Sequence, residues 1–123
     1  MKKIIFTENA PAAIGPYSQA VLSNGTLYVS GQIALVKVEA GANIEDETRQ
    51  VMENMKEVLV AAGMTFENVI KATLFIMNMN DFAKINSVYA TYFNEETAPA
   101  RETVQVAGLP RGVSIEISMI AVL

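Results

Sequence analysis

The clearest pattern in the chain is a helical repeat of apolar residues near its middle. Between Ile44 and Ala62, apolar side chains return every three or four positions, which is the spacing of an amphipathic helix. The residues on this face are Val51, Met52, Met55, Val58, Leu59 and Ala62. Asn43 precedes the repeat as an N-cap, and Gly63 follows it as a stop. The pattern therefore predicts a helix over 44–62.

The remaining pattern predicts a second helix and six strands. The second helix follows an expected N-cap at Asn80, and its apolar positions are Phe82, Ile85, Val88, Tyr89, Tyr92 and Phe93. The strands are β-branched or alternating segments: Ile4–Phe6, Ser18–Leu22, Thr26–Ser30, Val69–Met77, Thr103–Ala107 and Val113–Val122. Asn24 and Gly25 form a strong hairpin signal between the second strand and the third.

The order of these elements indicates an α+β fold. Strand, hairpin, helix, strand, helix, strand and strand follow one another, which is typical of a mixed β-sheet with two helices packed on one face. No linker rich in Pro, Ser or Gly divides the chain, and 123 residues is the length of one domain. We therefore expect residues 1–123 to form a single domain.

The last predicted strand carries apolar residues on both of its faces. One face holds Val113, Ile115, Ile117, Met119 and Ala121, and the other holds Ser114, Glu116, Ser118, Ile120 and Val122. Two helices cover only one face of a sheet, so the second face is left to pack against something else. We expect it to pack against another copy of the chain in a closed homo-oligomer, with sites near the interfaces.

Composition narrows the range of functions. Hydrophobic residues make up 51% of the chain and charged residues 18%, which excludes disorder as the main state. Thirteen acidic and nine basic side chains give a net charge of −4, which disfavours nucleic acid as a partner. No segment approaches the ~20 apolar residues of a membrane span, and the amino terminus lacks a signal-peptide core. We expect a cytoplasmic protein without a membrane partner.

The absence of Cys and His restricts the chemistry further. Without these residues there is no disulfide, no thiolate nucleophile, no imidazole base and no zinc site of the usual kinds. Catalysis would depend on carboxylates, Arg, Lys, Tyr, hydroxyls, backbone amides and water. We expect neither a metal nor a cofactor.

Arg101 and Glu116 are the charged residues least easily explained by the fold. Arg101 immediately precedes a predicted strand, and Glu116 lies in the middle of another, between Ser114 and Ser118. In a functional interpretation, Arg101 binds a substrate carboxylate through two parallel hydrogen bonds and Glu116 orients a water molecule. In the structural alternative they form an ion pair or are solvated separately, and composition and spacing alone favour this alternative.

Three further residues have both a functional and a structural interpretation. Tyr17 follows a restricted turn and either presents its hydroxyl to a pocket or packs. Gly31 either lets a ligand approach the backbone or marks a bulge. Asn86 in the second helix is either a hydrogen-bonding group of a pocket or a solvated polar residue. The structural interpretation is the more common one for each residue type.

Several separated motifs resemble those of the reactive-intermediate deaminase family, RidA/YjgF, in the same order and nearly end to end. They are Asn9-Ala10-Pro11, Gly15-Pro16-Tyr17-Ser18-Gln19-Ala20, Val29-Ser30-Gly31-Gln32-Ile33, Thr48-Arg49-Gln50 with Asn54, Pro99-Ala100-Arg101, Val104-Gln105-Val106-Ala107 and Ile115-Glu116-Ile117. The resemblance implies a chorismate-mutase-like fold that assembles as a homotrimeric barrel, with pockets in the clefts between subunits. It also implies hydrolysis of enamine/imine intermediates such as 2-aminoacrylate/2-iminopropanoate to 2-oxo acids and ammonia, the activity of a 2-iminobutanoate/2-iminopropanoate deaminase.

The same resemblance implies roles for individual residues. Arg101 is similar to the carboxylate-binding arginine of the family and Glu116 to its water-positioning acid. The remaining implied substrate-binding residues are Tyr17, Ser30 and Gly31 in the pocket wall, Asn86 as a secondary polar group, and Thr103.

The chain also departs from the family pattern. Glu102 and Thr103 follow Arg101 where many members have Ser-Cys, and the sequence leaves open whether Glu102 points into the cleft. The loop over 34–40 lacks the usual prolines, so the rim of the pocket is expected to differ. The alternative to a deaminase is a non-catalytic trimer that binds small carboxylates. A third function, ribonuclease or translation inhibitor, is disfavoured by the acidic charge balance.

Overall fold

A six-stranded mixed sheet organises the chain, and the computed structural model describes all of its residues, 1–123. The strands are β1 (Lys2–Ile5), β2 (Ala20–Ser23), β3 (Thr26–Gln32), β4 (Val69–Ile76), β5 (Ala100–Gln105) and β6 (Ile115–Val122). Their order across the sheet is β1-β2-β3-β6-β4-β5. Only β4 and β5 run parallel, and every other neighbouring pair is antiparallel. The predicted mixed sheet of an α+β fold is thus confirmed.

Three α-helices accompany the sheet: α1 (Leu35–Glu39), α2 (Ile44–Ala61) and α3 (Phe82–Tyr89). The predicted helix over 44–62 is confirmed as α2, and Asn43 caps it by accepting a 2.8 Å hydrogen bond from the Asp46 amide. The predicted hairpin is also confirmed, since Asn24 and Gly25 both adopt the positive φ angles of a type I′ turn. No helix has both the length and the apolar character needed to cross a bilayer.

The structure corrects two local predictions about helices. The second helix begins with a 3₁₀ turn at Met79–Asp81, and its cap is Asn78, which accepts a 2.9 Å hydrogen bond from the Asn80 amide. Asn80 therefore lies inside the turn, because the turn begins at Met79, directly after Asn78, whose backbone is extended. The segment expected to be a loop over 34–40 forms α1 instead, since it contains no Gly or Pro and Gly41 ends it with a φ of 78°.

A third correction concerns Arg101, which lies within a strand rather than before one. The fifth strand was expected over Thr103–Ala107, but the observed strand, β5, begins at Ala100 and ends at Gln105. Its start is fixed by parallel pairing with β4, where Ala72 lies opposite Arg101. Because that pairing joins segments far apart in sequence, the local pattern does not reveal it.

The hydrophobic core lies between the sheet and the helices. In β6, Ile115, Ile117, Met119 and Ala121 are buried on the helix face, whereas Glu116, Ser118, Ile120 and Val122 are partly exposed on the opposite face. We call this opposite side the open face, because no other element of the chain covers it. It also carries Tyr28 and Val104, which are 52% and 41% exposed. The predicted apolar character of both faces of the last strand is confirmed.

A buried glutamine fixes the long segment between β1 and β2. Gln19 is 3% exposed, and its Oε1 accepts a 2.8 Å hydrogen bond from the Thr7 amide. Its Nε2 donates to the carbonyl oxygens of Thr7 at 3.1 Å and Pro11 at 2.9 Å. One side chain thus provides the partners that this irregular backbone does not find in a sheet or helix.

Gln19→Leu is expected to destabilise the protein, because the leucine removes the partner of four backbone groups: the Thr7 amide and the carbonyl oxygens of Thr7, Ala10 and Pro11. We expect the free energy of unfolding to fall by about 1–3 kcal/mol, measured by urea denaturation at one protein concentration. Gln105→Leu is the matched control, since Gln105 receives a single exposed hydrogen bond from the Met79 amide. An equal loss in the two variants would contradict the anchoring role of Gln19.

Candidate functional site

Arg101 has surroundings typical of an anion-binding group. Its side chain lies on the helix face of β5, which is an edge strand. Nη1 donates a 2.7 Å hydrogen bond to Asn86 Oδ1, and the guanidinium lies 4.9 Å from the ring centroid of Tyr89 and 5.6 Å from that of Phe82. Neither of the two ion pairs in the chain includes Arg101. The cation is therefore held by an amide and two aromatic rings without being neutralised.

A cleft of about 390 Å³ lies beside this guanidinium. Asn86 and Tyr89 of α3 line it on one side, and Pro99 and Arg101 line it on the other. Glu95 contributes the one acidic side chain of the lining. Two predicted site residues, Arg101 and Asn86, thus lie together in a space large enough for a small molecule.

Two buried hydroxyls near Arg101 have no hydrogen-bond partner, those of Tyr89 and Thr103. Burial raises the pKa of Tyr89 to about 12, although Arg101 opposes this shift, so the phenol stays protonated at neutral pH. Thr103 is two positions after Arg101 and shares its face of β5. Its hydroxyl is enclosed, and the side chain does not contribute to the lining of the cleft.

Tyr17, Ser30 and Gly31 lie in a second group, around a different cavity. Tyr17 and Gly31 line this cavity, which has a volume of about 400 Å³. Ser30 Oγ donates a 2.6 Å hydrogen bond to the Ser18 carbonyl, and the Ser30 amide donates to the Gln19 carbonyl at 2.9 Å. These two hydrogen bonds tie the segment that carries Tyr17 to strand β3.

Glu116 belongs to this second group because it packs against Gly31. A Cβ atom at Gly31 would overlap the Glu116 carboxylate, so this close approach requires glycine. The pairing of β3 with β6 shifts register between Val29 and Gln32, so Gly31 also lies at a bulge. Burial raises the pKa of Glu116 above its ordinary value.

Arg101 and Glu116 lie on opposite faces of the sheet. In β5, Arg101 lies beside Ala72 on the helix face, whereas Glu116 in β6 lies opposite Phe75 on the open face. Successive residues of a strand alternate between faces, so this separation follows from the register of the strands. The ion pair between Arg101 and Glu116, which was the structural alternative, does not form within the chain.

The structure settles the direction of the Glu102 side chain. Glu102 points to the open face, where Thr73 Oγ1 donates a 2.5 Å hydrogen bond to it and Lys71 Nζ lies 3.1 Å away. The hydrogen bonds from Thr73 and Lys71 lower the pKa of Glu102. Its negative charge is thus on the other side of the sheet from Arg101 and is paired there.

Sequence reasoning missed two residues of these sites. Tyr89 was assigned to the apolar face of its helix, although it contacts Arg101 from the position three residues after Asn86. Neighbouring positions on a helix surface are three or four residues apart, so a candidate at Asn86 also points to Tyr89. The other missed residue is Arg111, which lines the cavity of Tyr17 and Gly31.

Comparison with known proteins gives full-length matches. Residues 7–123 match the family described as Endoribonuclease L-PSP. The chain is 46% identical to the 2-iminobutanoate/2-iminopropanoate deaminase of Mus musculus, over 99% of this chain and 92% of that protein. It is similar to the Rid family protein YyfA of Yersinia pestis, with 46% identity, a TM-score of 0.92 and complete coverage of both chains. It is also similar to Escherichia coli TdcF with bound serine, with 47% identity, a TM-score of 0.88 and 98% coverage of both chains.

Glu116→Gln is expected to change how stability depends on pH. Burial raises the pKa of Glu116 in the folded state above 4.5, so between the unfolded and folded pKa values the folded chain keeps a proton that the unfolded chain releases. The free energy of unfolding of the wild type therefore falls as the pH rises through this window. The variant lacks this loss and should gain stability relative to the wild type as the pH rises from the unfolded pKa through the folded one, measured by urea denaturation at a series of pH values.

Glu102→Gln is the matched control, with the opposite sign. The pKa of Glu102 is lowered in the folded state, so its ionised form stabilises the wild type above the unfolded pKa, and this contribution disappears as the pH falls through the folded pKa. The variant should therefore lose stability relative to the wild type as the pH rises. A response of the same sign in both variants would contradict the two environments described for these carboxyl groups.

Proposed function

This chain belongs to the Rid (YjgF/RidA) family, and we propose that it hydrolyses reactive enamine/imine intermediates to 2-oxo acids and ammonia. The substrates are of the 2-aminoacrylate/2-iminopropanoate type, which carry a carboxylate next to the C=N carbon. The observation that carries the proposal is the unneutralised guanidinium of Arg101 beside a cleft of small-molecule size. The mouse relative is a 2-iminobutanoate/2-iminopropanoate deaminase by name, which supports the same reaction.

The site requires a second copy of the chain. Arg101 and Glu116 lie on opposite faces of one sheet, so a single small substrate reaches both only when they come from different copies. The open face offers the surface for such an assembly, because it exposes apolar side chains such as Tyr28 and Val104. We therefore place the active sites at the subunit interfaces of a homotrimer with a chorismate-mutase-like fold, whose sheets line a central barrel.

In this arrangement each group has a role that matches its surroundings. Arg101 binds the substrate carboxylate with two parallel hydrogen bonds, while Asn86 and Tyr89 hold the guanidinium in place. Tyr17, Ser30 and Gly31 of the neighbouring copy form the wall around the C=N group. Because Gly31 has no side chain, the Glu116 carboxylate has room beside this wall. The Thr103 hydroxyl is enclosed, so Thr103 contacts the substrate through its backbone in β5, beside Arg101.

The reaction needs little beyond position and charge. Water adds to the imine carbon, and the electron pair of the C=N bond moves to nitrogen. Glu116 accepts a proton from the water and transfers it to that nitrogen, which gives a carbinolamine. Glu116 then moves the proton of the carbinolamine hydroxyl to the same nitrogen; the oxygen forms the C=O bond as the C–N bond breaks, and ammonia leaves. Burial raises the pKa of the Glu116 carboxyl group above its ordinary value, so it holds a proton more readily than an exposed carboxyl group, which suits these proton transfers. An imine carbon is already electrophilic, so no covalent nucleophile is required.

Binding without turnover is the second candidate function. The structure of E. coli TdcF holds serine, an amino acid with a carboxylate, and the Arg101 cleft would serve a binding protein equally well. A protein of this kind would bind 2-oxo acids but leave the lifetime of 2-aminoacrylate unchanged. The two functions are separated by ammonia release from freshly generated 2-aminoacrylate, with and without the protein.

Arg101→Gln is expected to lower kcat/KM for imine hydrolysis by about 10- to 100-fold, since it removes a charge-assisted contact with the carboxylate. The measurement is a coupled assay in which a dehydratase generates the imine and pyruvate formation is followed. Arg49→Gln is the control, because Arg49 is an exposed arginine paired with Asp46 on α2. Full activity of Arg101→Gln would refute the proposed role.

Mixing two variants of low activity tests whether the site is shared between copies. Arg101→Gln and Glu116→Gln chains are unfolded, combined in equal amounts and refolded together. Random assembly into trimers restores an intact pair of Arg101 and Glu116 at about a quarter of the interfaces, so activity should return to about that fraction of wild type. Mixed trimers that form but stay inactive would show that the two residues do not share an interface.

A further inference from the structure

A second guanidinium without an acidic partner borders the cavity of Tyr17 and Gly31. Arg111 is exposed, lines this cavity and takes part in neither of the ion pairs of the chain. The lining contains no other charged residue and consists mainly of apolar side chains, such as those of Ile14 and Val36. A single positive charge at the edge of an apolar cavity favours a ligand with an apolar body and a negative end.

The backbone of Arg111 is in a conformation that arginine rarely adopts. Its φ of 59° and ψ of 22° lie in the left-handed region, which costs a residue with a Cβ about 1–2 kcal/mol. Glycine or asparagine would occupy this position at a lower cost. A strained arginine at the border of a cavity therefore points to a function for its side chain.

The position of Arg111 is fixed relative to Glu116. The turn Pro110–Gly112 leads directly into β6, which carries Glu116. The buried Glu47 carboxylate accepts hydrogen bonds from the Ser114 amide at 2.8 Å and from the Ile115 amide at 3.2 Å, which anchors the segment between Arg111 and Glu116. Gly31 packs against Glu116 and lines the cavity together with Arg111, so one wall residue of the cavity adjoins Glu116.

We propose that Arg111 binds a second carboxylate, at the far end of the substrate side chain, and that the site therefore accepts imines of dicarboxylic amino acids. This inference rests on the proposed function. In such a substrate the α-carboxylate lies at Arg101 of one copy, the C=N group lies at Glu116 of the neighbouring copy, and the side chain follows the cavity to Arg111. Arg111 is thus a specificity-determining residue and takes no part in proton transfer.

The test compares two stable 2-oxo acids, 2-oxobutanoate and 2-oxoglutarate, which differ by the second carboxylate. Their dissociation constants are measured by titration calorimetry on the full-length assembled protein. Arg111→Asn removes the charge and tolerates the left-handed backbone, whereas Arg111→Lys keeps the charge. Arg49→Gln changes the net charge of the protein by the same amount at a distant, ion-paired position.

The wild type is expected to bind 2-oxoglutarate more tightly than 2-oxobutanoate. In Arg111→Asn the ratio of the two affinities should fall about fivefold, the upper range for an exposed ion pair. Arg111→Lys should keep most of the preference, and Arg49→Gln should keep all of it. An unchanged ratio in Arg111→Asn, or an equal fall in Arg49→Gln, would overturn the inference.

The same titrations separate this inference from the proposed function. If 2-oxobutanoate binds and depends on Arg101 while the ratio is insensitive to Arg111, the role of Arg111 is refuted and the proposed function stands. If neither 2-oxo acid binds the wild type, the carboxylate site at Arg101 is refuted, and the role of Arg111 fails with it.

Discussion

The alternation of side chains across one sheet is the constraint on which the rest of the molecule depends. Because neighbouring residues of a strand point to opposite faces, the register of β4, β5 and β6 separates Arg101 from Glu116 and Glu102 from Arg101. The first separation leaves each copy with an incomplete set of groups for the proposed reaction. The second keeps an adjacent acid from neutralising the guanidinium. The same backbone pattern thus explains both why the proposed site needs a second copy and why the Arg101 charge is available.

The cations on the two faces of the sheet have different kinds of partner. Lys71 on the open face is paired with Glu102 at 3.1 Å, so the two charges offset one another. Arg101 on the helix face has only neutral partners, Asn86 and two aromatic rings. A cation held in this way keeps its attraction for an anion, because an amide oxygen and the faces of aromatic rings orient the guanidinium without removing its charge. Binding an anion therefore does not require an internal ion pair to break.

The sequence was most informative where structure depends on neighbouring residues and least informative where it depends on distant ones. The helix capped by Asn43 and the hairpin at Asn24 follow from local patterns, and both were predicted. The start of β5 depends on parallel pairing with β4, so it could not be predicted from the pattern around Arg101. Candidate site residues were recognised as residue types and motifs, but their division between two faces and two cavities required the register. Arg111 was missed because neither its charge nor its turn is unusual in sequence, and only its φ angle sets it apart.

The buried polar residues of the core show how irregular segments become precise enough to form the walls of a site. Gln19 holds the segment before Tyr17, Glu47 holds the segment between Arg111 and Glu116, and Asn54 Nδ2 donates a 3.1 Å hydrogen bond to the Ile33 carbonyl just before α1. Each of these side chains forms a hydrogen bond with a backbone group at least eight positions away in sequence. Burying such groups is costly unless they are hydrogen-bonded, and each of these three side chains has hydrogen-bond partners. Gln19 and Ile33 line the second cavity, so the hydrogen bonds that Gln19 and Asn54 make fix part of its wall from within the core.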